Sequence, residues 1–292
     1  MSKRFGQVTA LDGLELAVEE GTVYGYLGPN GAGKTTTIRL LIGLGRPTVG
    51  QILVLGVDPY RKEVRSRVGY LPGELRLDER VTIGEQLDHW ARLHHGVDGV
   101  FLRQLLLRLD LDPSRACRSL SSGNRRKVGL VGAFMTRPEL LILDEPTSGL
   151  DPLMQQEFLR LVAEVRQAGS TVFMSSHSLA VVQRAADRIA VLRAGRIVLE
   201  GGVDDLRRRV RQTYSVEFAG TPPVSQLRAL DDVAELQVDG NRVTFQLAAE
   251  PGPVLSVLAA SSVRELLAPE PDVEDVFLSL YDAATAPSDD AS

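Results

Sequence analysis

One stretch carries the most explicit chemistry in the chain: Gly28-Pro29-Asn30-Gly31-Ala32-Gly33-Lys34-Thr35-Thr36. Its spacing is G-x-x-x-x-G-K-[ST], a phosphate-binding glycine loop. Glycines let the main chain curl around an anion. The N–H groups that open the following helix point at one spot, and the helix dipole adds positive potential there. Lys34 supplies a cation for the β- and γ-phosphates of a nucleotide, and the Thr35 hydroxyl an oxygen ligand for Mg²⁺.

Such a loop works only between a strand and a helix. Thr22 to Leu27 reads as a buried strand, and Lys34 to Leu44 as a helix with Ile38, Leu41 and Ile42 on one face. Leu140 to Leu143 is apolar throughout and ends in Asp144-Glu145; a strand buried on both faces predicts a parallel sheet. Leu120-Ser121-Ser122-Gly123-Asn124-Arg125-Arg126 precedes a helix running to about Thr136, which puts Ser122 and Gly123 at a second helix N-terminus, again an anion site. Asp151-Pro152 is an N-cap with proline at N1. Its helix buries Phe158, Leu161, Val162 and Val165 and ends at Gly169. Ser170 to Met174 is the next strand, followed by Ser175-Ser176-His177, and Ile189 to Leu192 forms a hairpin with Arg196 to Leu199. Upstream, the alternation of Leu14, Leu16 and Val18 predicts a half-buried strand. Gln51 to Leu55 and Arg67 to Leu71 are further strand candidates, with a helical turn over Pro59 to Ser66. Thr82-Ile83-Gly84-Glu85 is a capping box opening a helix to about His94, and Phe101, Leu102, Leu105, Leu106 and Leu109 stripe another.

The chain has 292 residues, a 43% hydrophobic share and a net charge of −5. There is no basic excess for nucleic acid. Cys117 is the single cysteine, so no internal disulfide can form, which suits a reducing compartment. No signal peptide and no apolar run of membrane-span length is visible, so the expectation is a soluble protein whose membrane role, if any, goes through a partner. His94-His95 has no further ligands nearby and reads as a solvated helix end. Arg207, Arg208, Arg209 and Arg211 read as a basic linker. Beyond it the pattern becomes βαββαβ: Tyr214, Val216 and Phe218 alternate, a helix covers Ser225 to Leu230, a hairpin turns at Asp239-Gly240, a helix covers Pro253 to Ala260 and Val263 to Leu267 is extended. That order predicts a small α+β ferredoxin-like domain. Val273, Val276, Phe277 and Leu280 stripe a last helix begun by Asp272, and the polar Thr285 to Ser292 reads as a disordered tail. The expected division is residues 1–211 (helical subdomain about 74–137), 212–283, and a tail over 284–292.

Four later motifs extend the glycine loop. Leu120 to Asn124 resembles the signature Leu-Ser-Gly-Gly-Gln of ABC-type ATPases. Leu140 to Glu145 resembles their Walker B strand, Ser148-Gly149-Leu150-Asp151 matches their D-loop, and His177 stands at their switch histidine. The resemblance covers about Phe5 to Gly201, is strongest to ATP-binding subunits of drug and other small-molecule exporters, and implies an α/β P-loop NTPase fold. The segment from Tyr214 to Tyr281 looks like an accessory C-terminal domain that some of them carry. The resemblance further implies ATP and Mg²⁺ as cofactors. It places Gly28 to Thr36 on the phosphates, Phe5 on adenine, and Thr35 and Asp144 at the metal. Glu145 would polarise the attacking water and His177 would contact the γ-phosphate. Ser121, Ser122, Gly123 and Asp151 would close on ATP held by a second copy, in a head-to-tail dimer. The dimer would serve a separately encoded integral-membrane permease from the cytoplasmic face of the membrane. Readings as a soluble non-transport ABC-type ATPase, or as an ATP-gated dimerisation module with little turnover, stand as alternatives.

Three departures accompany the resemblance. Ser122 and Asn124 replace glycine and glutamine of the signature. Gly73 stands where glutamine is expected in Gly69-Tyr70-Leu71-Pro72-Gly73-Glu74, leaving Glu74 or water to substitute. No strand is visible before the stretch holding Phe5, Met1 to Gly6, where the family usually has one, so either the sequence starts late or the sheet has lost an edge.

Overall fold

A computed structural model describes residues 1–93, 97–203, 212–247 and 251–269. The chain divides into two compact units, Met1–Gly201 and Gly202–Ser292. His94-His95, the basic run at 207–211, the helix begun by Asp272 and the C-terminal tail lie outside the described residues.

The first unit is built on β3 (Val23–Leu27), every residue of which is buried because it lies inside a sheet. Its neighbours are β6 (Thr171–Ser176) and β7 (Arg188–Arg193), both parallel to it. β5 (Leu140–Asp144) pairs in parallel with β6, and β4 (Val68–Leu71) with β5. With β8 (Arg196–Gly202) beside β7, the order is β4-β5-β6-β3-β7-β8. The five strands from β4 to β7 in this order are parallel, as the apolar runs predict.

Helix α1 (Lys34–Leu41) buries Ile38 and Leu40 against Tyr24, Tyr26, Ile142 and Phe173. Each fully buried aliphatic side chain is worth about 1.5–3 kcal/mol. Tyr24 stacks on Phe173 with ring centroids 5.8 Å apart. The short α2 (Lys62–Arg65) is the expected helical turn.

The helical segment contains α3 (Ile83–Leu93), α4 (Gly99–Arg108) and α5 (Ser122–Phe134). The capping box forms as expected: the Thr82 N–H donates to Glu85 Oε2 at 2.8 Å and the Glu85 N–H donates back to Thr82 Oγ1 at 3.2 Å. Arg108 ties α4 to α6 (Pro152–Gln167) through Glu157 and Glu164 at 2.5 and 2.6 Å. Helix α7 (Leu179–Ala185) returns the chain to β7.

Two strand expectations fail. The residues from Leu14 to Val18 form no strand. Their side chains pack on the core, but their backbone has no ladder partner; Leu14 N–H instead donates to Met1 O. The alternation recorded burial, not pairing. Gln51 to Leu55 is likewise a loop, bent by a bridge between Val54 and Val57 at positive-φ Leu55 and Gly56. The stretch holding Phe5 is itself a strand that sequence reasoning did not predict: β1 (Lys3–Phe5) pairs antiparallel with β2 (Val8–Leu11) as a separate hairpin. It is too short to show a period.

In the second unit, β9 (Gln212–Phe218), β10 (Val233–Asp239), β11 (Arg242–Leu247) and β12 (Val263–Leu267) lie in the order β10-β11-β9-β12, every pairing antiparallel. Helices Val224–Arg228 and Gly252–Ala259 complete the βαββαβ connectivity. Leu227, Val254 and Leu258 from these helices pack on Val216, Phe218, Val243 and Phe245.

Gly69, in β4, is held close by its neighbours: a Cβ there would meet the Ala133 carbonyl oxygen at 2.2 Å and Leu141 at 2.9 Å. Neither backbone nor packed core yields cheaply, so Gly69→Ala is expected to cost about 1–3 kcal/mol. A thermal melt should show a drop of several degrees, whereas Gly220→Ala, with nothing within 4 Å, should leave the midpoint unchanged.

Candidate nucleotide site

The glycine loop leaves the end of β3 and enters α1 at Lys34. Gly33 has φ +112°, and a Cβ there would lie 2.8 Å from the Ala10 carbonyl. Only glycine fits this left-handed, closely approached position. Strand β2 thus forms one wall of an open cleft of about 270 Å³, lined by Val8, Thr9 and Ala10 on one side and by loop residues and Glu145 on the other.

Lys34 is buried. Its ammonium donates to the carbonyls of Gly28 and Pro29 and lies 3.3 Å from Glu145 Oε1. The Thr35 hydroxyl donates to Asp144 Oδ2 at 2.9 Å. Asp144 is itself buried at the end of β5, and its Oδ1 accepts from Ser175 Oγ at 2.6 Å.

Glu145 adopts φ +50°, rare for a residue with a side chain. Its N–H donates to Ser175 Oγ at 3.0 Å. The turn aims its carboxylate back at the loop: Oε2 meets His177 Nδ1 at 2.8 Å, while Oε1 is buried with no hydrogen-bond partner among the described residues. Oε1 faces the Lys34 ammonium as an ion pair, and a bound water would complete its hydrogen bonding.

The structure therefore brings together Pro29 to Thr36, Asp144, Glu145 and His177. It does not bring Ser121, Ser122 and Gly123 to the same cleft. Ser121 caps α5 by accepting from the Asn124 N–H at 3.3 Å. The start of α5 abuts the 148–151 turn, where a Cβ on Gly123 would lie 2.7 Å from the Gly149 carbonyl. Asp151 accepts from the Met154 N–H at 3.0 Å, capping α6. Phe5 is 56% exposed at the tip of the β1–β2 hairpin, with the Lys3 ammonium 4.8 Å from its ring centre, and does not line the cleft. Gly73 sits against Asp144, its Cβ position 3.1 Å from Oδ2, and Glu74 is exposed.

Sequence reasoning passed over Ser175. Its signal was a polar residue ending an otherwise apolar strand, but its role follows only from register, since β5 and β6 set Asp144 opposite Ser175.

For a cation, the available donors are the Thr35 hydroxyl and an Asp144 carboxylate oxygen, both hard oxygens. Among the described residues there is no group of three or more His, Cys, Asp and Glu that could hold a metal ion by themselves. Few protein ligands beside a phosphate loop is the donor pattern that suits Mg²⁺, which keeps waters and phosphate oxygens in its shell.

Comparison with known proteins decides what this site serves. The profile of the ABC transporter family matches residues 11–148. The daunorubicin resistance ATP-binding protein DrrA3 of Streptomyces coeruleorubidus is 38% identical, over 95% of this chain and 93% of its own length. The chain belongs to the ABC transporter family, as its ATP-binding subunit. A Nod factor export ATP-binding protein of Ralstonia nicotianae is 30% identical over 96% of the chain and 91% of its own length. A solved structure described as an ATP-binding subunit of an ABC transporter aligns with TM-score 0.66 and 32% identity, covering 71% of this chain and 89% of that one. A dimeric ATP-binding cassette described as bound to ADP and phosphate shares the fold, with TM-score 0.62 and 21% identity over 69% of this chain and 95% of that one. The subunit is an ATPase. Among the described residues no helix is long and apolar enough to cross a membrane.

Ser175→Ala removes the donor to Asp144 and the acceptor for the Glu145 N–H together. Leaving one buried group unpaired costs about 1–3 kcal/mol. The expected result is a roughly tenfold or larger fall in ATP turnover, with ATP affinity within about threefold of wild type, since the phosphate loop is untouched. Steady-state hydrolysis and calorimetry on the same preparation check this.

Proposed function

We propose that the chain powers export of a small molecule through a separately encoded membrane permease, hydrolysing ATP between two copies of itself. The observation that carries the hydrolytic part is the triple arrangement at Glu145: one carboxylate oxygen against His177, the other beside Lys34 and without a hydrogen-bond donor.

The chemistry follows from these positions. The phosphate chain competes with the Gly28 and Pro29 carbonyls for the Lys34 ammonium and lies along the N–H groups of the loop. Glu145 Oε1 accepts a hydrogen bond from the attacking water and holds it in line with the γ-phosphate. His177, largely exposed beside it, keeps the carboxylate oriented and reaches the γ-phosphate. Bound Mg²⁺ would be held by Thr35 and Asp144 and would compensate charge on the β- and γ-phosphate oxygens. Asp144, fixed by Ser175, keeps Oδ2 directed at Thr35. Ser122 and Gly123 offer backbone N–H groups at the start of α5 to ATP on the second copy.

Export is favoured by the relatives named for daunorubicin resistance and for Nod factor export, each aligned over nearly the whole chain. A surface for the permease is available. An apolar groove of about 390 Å³ runs between α1, α3 and α5, lined by Leu41, Leu44, Tyr70, Leu75 and Trp90. Leu44 on its rim is 71% exposed, an apolar side chain that a partner segment would cover.

Glu145→Gln keeps the size of the side chain and removes the base. The variant should bind ATP, hydrolyse it at no more than about a hundredth of the wild-type rate, and form a dimer that requires ATP. Light scattering with and without ATP reads the dimer. Wild-type turnover would remove Glu145 from the reaction, and a variant that binds ATP yet stays monomeric would remove the two-copy site.

A further inference from the structure

Gly73 brings no side chain to the place in Gly69 to Glu74 where the family has glutamine, yet the turn that holds it is not loose. The Arg126 guanidinium donates to the Pro72 carbonyl at 2.7 Å and to the Gly73 carbonyl at 2.6 Å. The same Nη1 lies 3.4 Å from the Asp144 carbonyl, the last residue of β5 before Glu145. Arg126 is half-buried; burial lowers its pKa, opposed by the carboxylates of Asp144 and Glu145. An arginine keeps its charge in such a place, and its planar fork suits several carbonyls at fixed angles.

Its place on the helix gives this contact meaning. Arg126 lies one turn along α5 from Ser122. Both residues lie on one hydrogen-bonded turn of helix, so a displacement at Ser122 and Gly123 carries the Arg126 backbone with it. From there it passes to two points: the Pro72–Gly73 turn, which rests against the Asp144 carboxylate, and the main chain that sets the strained Glu145 backbone.

We propose that Arg126 is a positioning residue that couples the start of α5 to the hydrolytic pair Asp144 and Glu145, acting on the main chain of Gly73 where a side chain would otherwise serve. The proposal rests on the reading that ATP on a second copy engages Ser122 and Gly123. In this arrangement the second copy's ATP seats α5, Arg126 seats the turn against Asp144, and Glu145 then holds water in line.

The test uses the full chain with Arg126→Met, which keeps the length of the side chain and removes every donor, and Arg126→Lys, which restores a cation with fewer directed donors. Wild-type hydrolysis per subunit should rise with protein concentration, because the site is completed by a second copy. In Arg126→Met, kcat should fall at least tenfold and its rise with protein concentration should vanish, while KM and ATP affinity by calorimetry stay within about twofold. Arg126→Lys should recover part of kcat. In an Glu145→Gln background, Arg126→Met should still dimerise at an ATP concentration within about twofold of the single variant, since the lever acts after closure. A folded Arg126→Met that hydrolyses ATP at the wild-type rate overturns the lever alone. An ATP affinity that falls in parallel with kcat overturns it as well, by making Arg126 part of the binding site. Failure of Glu145→Gln itself to dimerise overturns the two-copy reading and the lever with it.

Discussion

The Asp144 carboxylate is the constraint on which the site depends. A charge buried at the end of a central strand is tolerated only when its oxygens are satisfied. Here one oxygen takes the Ser175 hydroxyl and the other the Thr35 hydroxyl. The first partner requires β5 and β6 to be in register, and the second requires the glycine loop to deliver α1 with Thr35 facing β5. Strand pairing, loop closure and helix placement thus meet at one side chain. Ser175 extends the same constraint to Glu145, whose N–H it accepts while that residue sits at positive φ. Strain of this kind persists only where its surroundings hold it, and here the hold and the chemistry coincide.

Much of this was legible in the sequence because it rests on local rules. The glycine loop, the apolar run into Asp144-Glu145, the Thr82–Glu85 capping box and the Asp151-Pro152 helix start each declare themselves within a few residues. What was not legible depends on partners far along the chain. Ser175 is one serine among several until register sets it opposite Asp144. Arg126 is one of two arginines at a helix start in the sequence, and its role depends on the carbonyls of Pro72 and Gly73, more than fifty residues earlier. Leu14 to Val18 misled for a related reason: alternation reports which side chains face a core, and a loop lying across the core alternates as a strand does.

The two units were read by different signals. The first unit's continuous apolar strands are those of a sheet covered on both faces, whereas β9, β10 and β11 alternate, with Val216, Phe218, Val243 and Phe245 inward and residues such as Glu217 and Arg242 outward in an ion pair at 2.8 Å. Exposed pairs of this kind add little stability; the apolar alternation is what defines the sheet. Among the described residues of the second unit, no buried lysine, carboxylates and histidine converge as they do in the first.

If the glycine loop and its lysine bind the phosphates of ATP, removing the lysine must weaken that binding. Lys34 is the buried side-chain cation of the cleft, held by carbonyls it can exchange for phosphate oxygens. Titration calorimetry with MgATP should show the affinity of Lys34→Ala at least a hundredfold weaker than that of wild type, in protein that melts at a comparable temperature. An unchanged dissociation constant in the folded variant would contradict the account.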